Sequence, residues 1–106
     1  MLKDLKCTQI DKSTPPVASE KIKELVKEIP DWTLSGLLIS REFHFKDFVQ
    51  AMEFVNKTAG LANAEDHHPD IFISYNKVRI DLSTHKIGGL SMNDFILAAK
   101  IDSIKI

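Results

Sequence analysis

A chain of 106 residues, 43% apolar and 27% charged, has the length and composition of one globular domain. Its 14 Lys and Arg nearly balance 15 Asp and Glu, a formal charge of −1, which excludes a global basic field for nucleic acid or an anionic membrane surface. The single cysteine, Cys7, excludes an internal disulfide; no apolar run nears the ~20 residues that span a bilayer, and the polar start MLKDLKCTQIDKSTPP lacks a signal-peptide core, so the expectation is a soluble cytoplasmic domain over 1–106.

Residues 1–17 show no periodicity and are expected to be irregular, with Ser13-Thr14-Pro15-Pro16 as punctuation. Ile22, Leu25, Val26 and Ile29 then recur at helical spacing, with Ser19 as candidate N-cap and Pro30 as the stop. Trp32 to Leu34 and Leu37 to Phe45 read as strands around Ser35-Gly36. Ile39, Arg41, Phe43 and Phe45 share one face of the second, so Arg41 marks an edge or a change of register. Asp47 and Gln50 open a second helix with a capping-box variant. Its stripe is Phe48, Met52, Val55, Ala59 and Ala62, and Phe54 and Leu61, off that stripe, are expected to meet another subunit. The residue before Pro69 is barred from the helical region, which ends this helix between Ala64 and His67.

Ile71, Ile73 and Tyr75, then Val78, Ile80 and Leu82, alternate around Asn76-Lys77 as a β-hairpin. Ile71 would then lie opposite Leu82. Gly88-Gly89 breaks the chain, and Ser91 with Asp94 caps a last helix running from Asn93 to about Ile104. The order α-β-β-α-β-β-α, with short turns between consecutive strands, predicts an α+β fold: a four-stranded antiparallel sheet with three helices packed on one face.

Three of the four histidines, His67, His68 and His85, fall where that hairpin begins and ends, and so at one end of the sheet. Three readings compete. They can be unrelated exposed or capping histidines. They can hold a metal, although no His-x-x-x-His or Cys-x-x-Cys spacing is present and adjacent residues in an extended segment point apart. Or they can move protons, since imidazole titrates near ~6.5. Pro69 fixes the corner behind both rings, the preorganisation that proton transfer needs. Asp66 and Asp94 can orient rings or hold a substrate amine, or simply cap helices. Cys7, with no histidine near it in sequence, does not read as a catalytic thiol.

The run EDHHPDIFISYNKVRIDLSTHKIGGLSMNDFILAAKID closely resembles the pterin-4a-carbinolamine dehydratases, through the His-His-Pro corner, Thr-His, Gly-Leu and the helix aspartate; the likeness extends upstream to about residue 15. The resemblance implies removal of water from a 4a-hydroxy-tetrahydropterin to give the quinonoid dihydropterin, supporting tetrahydrobiopterin recycling, with no metal and no cofactor. It implies His67, His68 and His85 as catalytic residues, and Asp66, Pro69, Thr84, Lys86, Ile87 and Asp94 as contacts for a small-molecule pterin. It also implies a homodimer or homotetramer, with no direct nucleic-acid or membrane role. The rival reading, of another class, is a moonlighting partner of a transcription factor through a helical surface. Two departures stand out: Asn63 occupies the position where members carry a glutamate, and Ile71 one where many carry an aromatic residue.

Overall fold

The computed structural model describes residues Met1–Ile106. In chain order the elements are α1 (Ser19–Leu25), β1 (Thr33–Ser35), β2 (Leu38–His44), α2 (Phe48–Glu65), β3 (Asp70–Ser74), β4 (Lys77–Leu82) and α3 (Met92–Asp102), with single 3₁₀ turns at Leu2–Asp4, Val26–Glu28 and His85–Ile87. The four strands form one antiparallel sheet in the order β1-β2-β4-β3, and the element order is the one the sequence predicts. No helix is long and apolar enough to cross a membrane.

One face of the sheet carries the core. Ile39, Val78, Ile80 and Leu82 are buried there, with Ala51, Phe54 and Ala62 of α2 and Phe95, Leu97, Ala98 and Ile101 of α3. The opposite face is polar: Ser40 Oγ donates to Asp81 Oδ1 at 2.6 Å, and the Arg79 guanidinium lies 4.2 Å from the Phe72 ring centroid. This alternation is what an antiparallel sheet with one wet face requires.

Local departures from the sequence reading have identifiable causes. Ala18, not Ser19, is the N-cap of α1, because the Val17 N–H donates to the Leu90 C=O at 2.8 Å and the chain stays extended through Ala18. The helix tightens into a 3₁₀ turn before Pro30, since the preceding Ile29 is excluded from helical geometry and adopts φ −131°. In the β3–β4 hairpin the turn is Tyr75-Asn76, not Asn76-Lys77: Tyr75 takes φ 51°, and Ser74 pairs with Lys77. Asn76 is held in the turn by the end of β2; its C=O accepts from the Phe45 N–H at 2.8 Å and its side chain donates to the Phe45 C=O at 3.0 Å. Ile71 therefore pairs with Ile80 rather than Leu82, a slip of two that keeps every side chain on its face.

Arg41 causes no register shift. β1 pairs only through Ser40, so from Arg41 onward β2 has no partner on that side. The guanidinium uses this gap to reach Asp102, with Nη1 2.6 Å from Oδ1, and Asp31 at 3.6 Å. The same Asp102 oxygen accepts from Trp32 Nε1 at 2.8 Å. Burial nonetheless raises the Asp102 pKa above the usual carboxylate value, against these lowering contacts.

The expected stripe of α2 holds at Ala62, which is buried, and in part at Val55, which packs against the core, but not elsewhere. Ala51, Phe54, Thr58 and Ala62 are the buried positions, while Phe48 and Val49 are exposed. Phe54 is buried in the core of this chain and is not available to another subunit, whereas Leu61 packs against that core and stays partly exposed. The expected capping holds: Asp47 accepts from the Gln50 N–H at 2.9 Å, and the Gln50 side chain reaches back to the Lys46 N–H at 3.0 Å.

The amino-terminal segment is irregular apart from its 3₁₀ turn, yet it is not loose. Leu2 is buried against α3, and its N–H donates to Glu28 Oε1 at 3.1 Å.

Candidate active site

α2 ends by turning the chain sharply, and that turn builds the His-His-Pro corner. Asp66 adopts the left-handed conformation (φ 52°, ψ 42°), which aspartate tolerates better than most residues. The Asp66 N–H donates to the Asn63 C=O at 3.4 Å and the His67 N–H to the Ala62 C=O at 3.2 Å, a Schellman closure. His67 is thereby delivered beside the start of α3.

There its Nε2 lies 2.6 Å from Asp94 Oδ1. Asp94 is fully buried, and its second oxygen accepts from Thr84 Oγ1 at 2.8 Å and from the Ser91 N–H at 2.9 Å. Thr84 Oγ1 in turn lies 2.8 Å from Ser91 Oγ, and with its own hydrogen on Asp94 it accepts there. A carboxylate that only accepts assigns the hydrogen to Nε2 of His67, which leaves Nδ1 as the free basic nitrogen. Of the roles open to Asp94, the geometry is that of a ring-orienting and helix-capping carboxylate: it is at 0% exposure, with one oxygen on His67 and the other on Thr84 and Ser91.

His67 opens onto a polar cavity of about 300 Å³ lined also by Asp66, Glu65, Thr84, Lys86, Asn93 and the stretch Cys7–Ile10. His85 lines a separate, smaller cavity of about 190 Å³ with Ser83, Leu37 and Gly88, and Thr84 is common to both. The loop bearing His85 is closed at its base by Thr84 and Gly89, whose N–H and C=O groups pair at 3.0 and 3.5 Å. A Cβ at Gly89 would lie 3.2 Å from the Pro16 Cβ, so a side chain there would require Pro16 to shift by a few tenths of an ångström. His68 is exposed outside both cavities, with Nε2 3.0 Å from Asn63 Oδ1. The three histidines thus share one rim, but only His67 is built into the polar cavity. Of the other expected contacts, Thr84, Asp66 and Lys86 line it, whereas Pro69 and Ile87 line neither cavity.

Sequence reasoning missed Glu65, Asn93 and Cys7–Ile10. Glu65 accepts the Cys7 N–H at 2.9 Å, and that bond holds its carboxyl below the usual range despite burial. Its other oxygen, Oε2, lies 3.9 Å from Lys100 Nζ. Burial, together with the nearby Glu65 charge, pushes the Cys7 thiol up to about 12. At pH 8 the thiol therefore stays protonated, and iodoacetamide is expected to leave Cys7 unmodified in the folded protein and to alkylate it once denaturant is added, as mass spectrometry would show. The same shift removes stability as pH rises from the unfolded thiol value, near 9, toward 12.

Comparisons with known proteins identify the family. The family described as Pterin 4 alpha carbinolamine dehydratase matches residues 15–104. A protein of Nitrosospira multiformis is 46% identical over 98 residues, covering 92% of this chain and 87% of its own length. One from Nitrosomonas eutropha is 45% identical over 106 residues, covering 99% of this chain and 94% of its own. Both carry the provisional name pterin-4-alpha-carbinolamine dehydratase. A crystal structure from Brucella melitensis, titled as a transcriptional coactivator/pterin dehydratase, superposes with a TM-score of 0.79 at 31% identity, covering 83% of this chain and 96% of its own. With the family matched across nearly the whole chain, over the same corner, loop and buried aspartate, this protein belongs to the pterin-4a-carbinolamine dehydratase family of hydro-lyases.

Proposed function

We propose that this chain dehydrates a pterin-4a-carbinolamine to the quinonoid dihydropterin, in support of tetrahydrobiopterin recycling, by histidine acid–base catalysis. The observation that carries the reading is the buried Asp94 carboxylate 2.6 Å from His67 Nε2 at the wall of a polar cavity. Asp94 fixes the ring and its tautomer, and stabilises the imidazolium that forms when Nδ1 takes a proton. Dehydration needs two transfers. The ring N–H beside C4a loses a proton to His67 as the C4a–O bond breaks. The leaving hydroxyl gains a proton and departs as water. A second imidazole of the rim, His85 or His68, supplies that proton, and single substitutions separate the two. Asp66, Thr84 and Lys86 provide polar groups for the heterocycle, and the imidazoles require no metal to act.

The test is turnover. Freshly generated carbinolamine, followed by ultraviolet absorbance, should convert faster with protein than without, and chelator should leave the rate unchanged. No acceleration would refute the dehydratase reading, and loss in chelator with recovery on adding zinc would replace the imidazole mechanism.

Assembly as a homodimer or homotetramer is part of the same proposal, on a different surface from the one first expected. β3 is an edge strand, and Phe72, Ile73 and Tyr75 on or beside it are exposed, as are Phe48 and Val49 of α2. An uncovered apolar edge of this kind invites pairing with a second copy. Sedimentation should give a particle larger than the 12.0 kDa chain. Ile73→Lys should reduce its size, whereas a wild-type monomer at micromolar concentration would refute the idea.

A further inference from the structure

One wall of the His67 cavity comes from residues that precede the family match, which begins at residue 15. The segment Cys7–Ile10 is held there by three separate anchors. The Cys7 N–H donates to Glu65 at the end of α2 at 2.9 Å. Asn93, 2% exposed, spends both ends of its amide on Thr8: Oδ1 accepts from the Thr8 N–H at 2.9 Å, and Nδ2 donates to the Thr8 C=O at 2.7 Å. Lys86 Nζ donates to the Ile10 C=O at 3.0 Å. These anchors join the segment to the three elements that carry the site: α2, the His85 loop and the first turn of α3.

Gln9 lies between the anchors and lines the cavity, yet its backbone N–H and C=O make no hydrogen bond within the chain. Gln9 is exposed, so these groups are open to solvent or to a ligand in the cavity. The aminopyrimidinone ring of a pterin offers such a partner, with donor and acceptor side by side along one edge. We propose that Cys7–Ile10 forms the pterin-binding wall of the cavity, with the free N–H and C=O of Gln9 meeting that edge of the ring. This rests on the dehydratase reading above. It assigns to the amino-terminal segment a share of substrate affinity, separate from the proton transfers at His67.

Thr8→Pro tests it, because the substitution removes the N–H held by Asn93 while leaving His67, Asp94 and the helices unchanged. KM should rise by about fivefold or more with kcat within about twofold, the pattern of lost binding rather than lost chemistry. Hydrogen exchange on the unaltered protein is the second measurement: saturating dihydropterin should slow exchange at the Gln9 and Ile10 amides. A folded Thr8→Pro protein with wild-type KM would overturn the proposal while leaving the dehydratase reading intact. So would amides at Gln9 and Ile10 that exchange equally with and without dihydropterin, and this result decides alone if the variant does not fold. Failure to bind or turn over any pterin would overturn both readings together.

Discussion

Replacing His67 with alanine is expected to lower kcat/KM by about 10²–10⁴-fold, the usual range for losing a positioned acid–base group. The loss should fall on kcat, since the imidazole matters most while the proton is in flight. Asp94→Asn gives the sharper result. Three donors converge on this carboxylate, from His67 on one oxygen and from Thr84 and Ser91 on the other. Asparagine offers one accepting oxygen and an NH2 group that only donates, so either His67 or the Thr84–Ser91 pair must face an N–H. If the ring loses its acceptor, Nε2 and Nδ1 can exchange roles and kcat should fall by about 10–100-fold. If Ser91 loses it instead, the cap of α3 weakens by about 1–3 kcal/mol. Steady-state kinetics with thermal denaturation separates the two. A folded His67→Ala protein with wild-type kcat would remove His67 from the reaction, as would an Asp94→Asn protein that keeps both wild-type kcat and wild-type stability.

What the sequence made legible was what local pattern encodes. The hairpin could be read because Val78, Ile80 and Leu82 alternate and all are buried. The corner at His67 could be read because Pro69 forbids helix before it, and α2 does end at Glu65. The placement of Asp94 stayed open between orienting a ring, holding substrate and capping a helix, because spacing alone does not separate them; here one residue makes the capping and the histidine contacts together, one with each oxygen. The amino-terminal wall was illegible for a related reason. Asn93 holds Thr8 by its backbone, so the identity of residue 8 carries no trace of the contact. Likewise the convergence of three histidines was correct for the rim and incomplete for the cavities, which divide on either side of Thr84. Side-chain direction at that scale is set by tertiary packing and not by spacing.

The second helix shows how a plausible stripe fails, and it yields the largest stability effect expected in this chain. Phe48, Met52, Val55 and Ala59 are as apolar as the true inner face, and the hydroxyl of Thr58 disguises that face. Phe54 decides the orientation. Its ring centroid lies 4.5 Å from that of Phe43 and 5.0 Å from that of Phe45, and Phe43 meets Trp32 edge-on at 6.2 Å. Only 2% exposed, Phe54 joins α2 to the far half of β2, where the strand has lost its β1 partner and needs support from below. Phe54→Ala should therefore cost about 3–5 kcal/mol, the transfer of the ring plus the cavity that its two aromatic neighbours cannot close. Phe54→Leu, which refills part of the volume, should cost less than half of that. Denaturant unfolding followed by Trp32 fluorescence measures both. Had Phe54 faced a second subunit, the alanine variant would instead dissociate with the stability of each chain nearly unchanged. A Phe54→Ala protein that stays folded at wild-type denaturant midpoint would therefore restore the outward orientation of Phe54 and undo the packing described for α2.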